Sequence, residues 1–127
     1  MHKGFLKTAC LLGALSVGLG AFAAHGLKSY ISNNAIAIFE TGVRYQFYHV
    51  FALLTVAVLY KDFKEVKMAG WFFISGILLF SGSLYLLSII QGMVQPGYKW
   101  VGMITPIGGL LFNTGWVWMF IAIVRQK

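Results

Sequence analysis

WVGMITPIGGLLFNTGWVWMFIAIV, Trp100–Val124, is 25 residues long and contains no ionisable side chain. A helix needs about 20 apolar residues to cross roughly 30 Å of hydrocarbon, so this run can span a bilayer unaided. Working outward, Met68–Tyr98 gives 31 charge-free residues, Tyr45–Tyr60 gives 16 and Thr8–Leu27 gives 20. The 16-residue run is about a turn short, which predicts a helix that starts before Arg44, with its guanidinium snorkelling to the interface. The 31-residue run holds one span plus a turn at Gly92–Gly97, where Gln95, Pro96 and Gly97 break the helix. The runs lack alternating polarity and far exceed the ~10-residue strands of membrane barrels. The expected fold is therefore all-α and polytopic, a four-transmembrane-helix bundle in a single integral membrane domain, 1–127, with spans at about 6–26, 44–60, 68–90 and 101–124.

Composition agrees. The 127 residues are 59% hydrophobic and only 10% charged, against about 25% charged in soluble domains. Small soluble domains bury only about 60–70% of their unfolded surface, too little to hide this much apolar area. Soluble, disordered and disulfide-stapled classes are excluded, and Cys10 stands alone in the first run. The net charge of +7 sits at span boundaries, where basic side chains meet lipid headgroups, and forms no module for nucleic acid. Lys3, Lys7, Lys61, Lys64, Lys67, Arg125 and Lys127 fall on one side; Lys28, Arg44 and Lys99 fall on the other. That bias places both termini in the cytoplasm of a cell whose inner membrane holds the protein, and it opposes dual topology. The N-terminus also has signal-peptide features, with Lys3 and Lys7 before Leu11–Leu19 and Ala21-Phe22-Ala23; the full-span length of the run favours a retained helix.

Between the first two spans, Gly26 is placed to cap one helix and Ser32-Asn33-Asn34 to open the next. Ile36, Phe39, Val43, Phe47 and Val50 recur every three or four residues, the pattern of an outer-side amphipathic helix leading into the second span. Glu40 and Arg44, four apart, are expected to form a surface ion pair.

Ionisable groups at membrane depth mark function by default. His25 ends the first span and His49 lies near the start of the second, so a hairpin would bring them to similar depth. A structural hydrogen-bonded pair is the expected arrangement, with metal or haem ligation as the alternative. His2, at the terminus, is expected to be solvated. Small-residue pairs such as Ala14/Gly18, Ser16/Gly20 and Thr105/Gly109 allow close helix packing. Pro106, followed by Gly108 and Gly109, predicts a kinked or interrupted fourth span. Trp71, Trp100, Trp116 and Trp118 read as interface anchors. There is no phosphate loop, zinc-protease motif, serine elbow or paired carboxylate within a span.

Several motifs coincide with a known family. Gly20-Ala21-Phe22-Ala23-Ala24-His25-Gly26-Leu27-Lys28, Tyr45-Gln46-Phe47-Tyr48-His49, Leu79-Phe80-Ser81-Gly82-Ser83-Leu84-Tyr85 and Thr105-Pro106-Ile107-Gly108-Gly109 resemble the small bacterial membrane proteins called domain of unknown function 423. Eukaryotic relatives of these are called transmembrane protein 256. The resemblance covers nearly the whole chain in order. It implies an uncleaved first span and four membrane helices, and it carries no molecular activity with it. Ala23 departs from the glycine common there, which touches packing only. These motifs map to the outer half of the bundle and predict an outer-side polar cluster of His25, Gln46, His49, Ser83, Tyr85 and Thr105.

The function expected from these features is that of a non-enzymatic accessory or scaffold protein, packed against partner helices or lipid, without cofactor or assigned metal. Its partners would be the bilayer and either another membrane protein or further copies of itself. A small-solute or ion transporter is the alternative, although span one lacks the embedded acid on which four-span exporters depend. A redox subunit holding haem or metal through His25 and His49 is the third reading.

Overall fold

Ser32 begins the helix that organises the bundle. Its backbone is extended, its Oγ accepts the Ala35 N–H at 3.2 Å, and α2 then runs unbroken over Asn33–Leu59. The amphipathic segment and the second span are thus one helix. The computed structural model describes residues 1–92 and 99–125. Within them α1 covers Lys3–His25 and ends at Gly26, a short 3-10 turn follows at Leu27–Ser29, and a second one at Lys64–Val66 leads into α3, Lys67–Gly76. A π-helical segment, Ile77–Ser81, joins α3 to α4, Gly82–Gly92, and α5 occupies Lys99–Arg125. The turn expected over Gly92–Gly97 lies outside the described residues after Gly92. Four helical stretches are long and apolar enough to cross a membrane: Lys3–Ser29, Asn33–Leu59, Lys64–Gln91 and Trp100–Arg125. The fold is an all-α polytopic membrane bundle.

α2 sits centrally and α1 peripherally. In the most apolar stretch of each, 44% of α2 is buried against 17% of α1. The main apolar core joins Phe5 and Ala9 of α1 to Leu53 and Val56 of α2, Phe73 of α3 and Phe112 of α5. His2 helps close the end of the bundle at which α1 begins, contrary to its expected solvation. Its Nδ1 accepts the Phe5 N–H at 3.1 Å, its ring stacks on Phe5 at 4.1 Å, and its own N–H donates to the Ala57 carbonyl. A histidine acceptor replaces the usual Ser or Asp cap.

Glycines admit the aromatic rings of neighbouring helices. A Cβ on Gly115 would lie 2.7 Å from the Phe73 ring, and one on Gly42 would lie 2.8 Å from Tyr85. At Gly108 the clash would be with the backbone of Phe80 itself. This contact relocates the irregularity expected in the fourth span. α5 passes through Pro106 as continuous helix, and the wide turn appears opposite, in the π segment that carries Phe80. Membrane helices tolerate proline when neighbours and hydroxyls satisfy the freed backbone groups. π turns are rare, mostly single-turn features that often mark functional sites. Of the small-residue pairs in α1, Ser16/Gly20 faces α2, with Gly20 near Val43, whereas Ala14 and Gly18 are exposed.

Candidate functional site

The register of α1 on α2 decides where the histidines lie. Gly13 approaches Val50 and Gly20 approaches Val43, so His49 is level with the residue just after Gly13. His25 is therefore displaced along the axis by about 16 Å at 1.5 Å per residue. The two do not share a depth, because α2 starts at Asn33 rather than near Arg44. His25 is exposed at the end of α1, and His49 is buried in the second span.

His49 is held on every side. Its Nδ1–H donates to the Tyr45 carbonyl at 2.7 Å, while Nε2 accepts the Trp116 indole N–H at 3.1 Å. The carbonyl can only accept and the indole can only donate, so the imidazole is neutral and its tautomer is fixed. The ring stacks on Phe112 at 3.5 Å with planes 6° apart. Both nitrogens are thereby engaged, and no second histidine faces them. Among the described residues no three His, Cys, Asp or Glu side chains gather as a metal site.

The other predicted positions fall into two hydrogen-bonded pairs. The Tyr85 hydroxyl donates to Gln46 Oε1 at 2.7 Å, and Gln46 Nε2 donates to the Leu12 carbonyl at 3.0 Å. Gln46 so ties α1, α2 and α4 together and is itself buried. Ser83 Oγ donates to the Phe80 carbonyl at 2.9 Å, at the end of the π segment. With that proton committed, Ser83 accepts the Thr105 hydroxyl at 2.6 Å. Ser81, beside them, donates to the Gly42 carbonyl at 2.7 Å. Gln46, Ser83, Tyr85 and Thr105 thus bind spans to one another, and His25 stands apart from all of them. No Glu40–Arg44 ion pair forms, and both side chains are exposed.

Sequence reasoning misassigned Trp116. It lies well inside α5 rather than at an end, and it serves His49 as a donor. Its depth, nine residues short of Arg125, was the available signal. Trp118, by contrast, reaches the Glu65 carbonyl at 3.0 Å in the loop before α3, an anchoring contact. Between α2 and α5 lies a groove of about 840 Å³, lined among others by Tyr45, Tyr48, His49, Phe80, Asn113 and Trp116. Asn113 is exposed, close to the midpoint of α5, and makes no hydrogen bond to any described residue. Inside the bundle the opposite holds: among the described residues every buried polar side-chain atom is paired.

Helices of spanning length, with every buried polar side-chain atom among the described residues paired, define an integral, multi-pass α-helical membrane protein. No catalytic constellation gathers among the described residues. The chain belongs to the family described as protein of unknown function DUF423, whose model matches residues 19–109. It is 43% identical over 122 residues to a UPF0382 membrane protein of Staphylococcus aureus (strain bovine RF122 / ET3-1), covering 92% of this chain and 95% of that one. It is 41% identical over 127 residues to the UPF0382 membrane protein YwdK of Bacillus subtilis (strain 168), covering 94% and 98%. A UPF0382 membrane protein of Haemophilus influenzae is 42% identical over 120 residues, covering 92% and 90%. No solved structure matches.

Proposed function

We propose that the protein is a helix-packing accessory or scaffold subunit of the plasma membrane, one domain with both termini in the cytoplasm. Asn113 carries this reading. An exposed amide near the midpoint of a membrane helix, with no partner among the described residues, is costly in hydrocarbon and is relieved when another helix supplies a hydrogen bond. Among the described residues the interior offers no such opening, since its buried polar side-chain atoms already have hydrogen-bond partners. Gln46, Ser83, Tyr85 and Thr105 act on this reading as internal ties that hold the outer surface in shape. The cytoplasmic placement of the termini is supported by the exposed Lys3, Lys7, Lys61, Lys64 and Lys67 at one end of the bundle.

A photo-crosslinking residue placed at position 113, activated in intact membranes, tests the reading. A protein adduct of any mass is the expected product. Adducts to lipid alone, across the range of expression levels, would overturn it. Flux of a solute through proteoliposomes that stops on His49→Ala would replace it with the transport reading.

A further inference from the structure

We propose that the exposed face of α5 docks a second copy of this chain, with Asn113 of one copy hydrogen-bonded to Asn113 of the other across a two-fold axis normal to the bilayer. This names the partner left open above and rests on that reading. The argument starts from the amide. It carries both donors and acceptors, so it is complementary to itself, and the polar residue that relieves it must lie at the same depth. The basic-residue bias, seven against three, gives every copy the same orientation. Two copies side by side therefore bring residue 113 to one depth without adjustment, as an isologous interface requires.

The surrounding surface fits a close approach. Gly102, Pro106, Gly109, Asn113 and Val117 follow one another at intervals of three or four, which aligns them along one helix face. A Cβ on Gly102 would meet nothing within 4 Å, and one on Gly109 would touch only the Phe80 ring at 3.8 Å. Around Gly102 and Gly109 this face is small and little covered by the described residues, the condition under which membrane helices pack backbone to backbone. Leu110, 65% exposed beside Asn113, and the adjoining 840 Å³ groove supply a projection and a recess on the same surface. A self-complementary interface needs both.

The test uses the full chain in a Cys10→Ser background, since the native thiol is exposed. In membranes treated with a mild oxidant, Gly109→Cys should give a covalent dimer, and Leu15→Cys, exposed on α1, should not. Native mass spectrometry in mild detergent should show twice the 14.1 kDa chain. Asn113→Leu should weaken that dimer at least tenfold and Asn113→Gln should largely keep it, both with unchanged helical circular dichroism. A monomeric native chain overturns the proposal, as does a dimer that crosslinks through position 15 instead of 109. So does a dimer indifferent to Asn113→Leu. If position 113 captures a different protein, the second-copy assignment fails and the scaffold reading stands; if it captures only lipid, both fail.

Discussion

His49 and Asn113 lie on the two helices that wall one groove, at comparable depth, yet the chain treats them oppositely. His49 has a carbonyl for one nitrogen, an indole for the other and the Phe112 ring along its face. Asn113, three residues before the Trp116 that serves His49, lines the same groove but is exposed and has no partner among the described residues. Polarity within a membrane is thus of two kinds. One kind is consumed in holding the helices together, and the other has no hydrogen bond among the described residues. A histidine at membrane depth looks the more chemical of the two in a sequence, but here both of its nitrogens are bonded to neighbouring groups.

Substitutions can break or sharpen that division. The largest effect should come from Gly108→Ala, on the seam that fixes the back of the groove. Its new Cβ would overlap the Phe80 backbone, and over-packing against backbone should destabilise by about 3 kcal/mol or more. Reversible unfolding in mixed micelles measures this; an unchanged midpoint would mean that the seam is looser than described. His49→Ala should cost about 2–3 kcal/mol in the same assay, from the void beside Phe112 and the orphaned Trp116 N–H. Its second readout is a shift of tryptophan emission as the indole loses its acceptor. Thr105→Val removes one interhelical hydroxyl contact and should cost about 0.6 kcal/mol, the usual size for such bonds in membrane proteins. Asn113→Leu and His25→Ala should each leave unfolding of the monomer within about 0.5 kcal/mol. A large loss for Asn113→Leu at protein dilutions where no dimer persists would erase the contrast with His49.

Much of this is legible in the sequence. Lengths of charge-free runs give four spanning helices, because the hydrocarbon thickness sets the length a helix must reach. Ser32 announces the start of α2, because a hydroxyl at that position satisfies a free N–H. Gln46, Ser83, Tyr85 and Thr105 were expected to meet His25 and His49 in one outer-side cluster, because apolar surroundings make a polar side chain conspicuous. Their pairing into Gln46–Tyr85 and Ser83–Thr105 was not legible, nor was the separation of His25 from His49. Both depend on how far one helix slides along another. Sliding is set by which glycine receives which ring, such as Gly42 under Tyr85 and Gly115 under Phe73.

The sequence by itself determined the solvent, the number of spans and the bias in their orientation, since these follow from summed transfer energies that each run carries independently of the others. Only the tertiary structure decided the register, the π turn at Ile77–Ser81 facing Gly108, the Trp116–His49 bond and the exposure of Asn113. Each of these depends on how separate helices pack against one another. In lipid the partners of a polar group are chosen by packing geometry, because no water is present to satisfy it elsewhere.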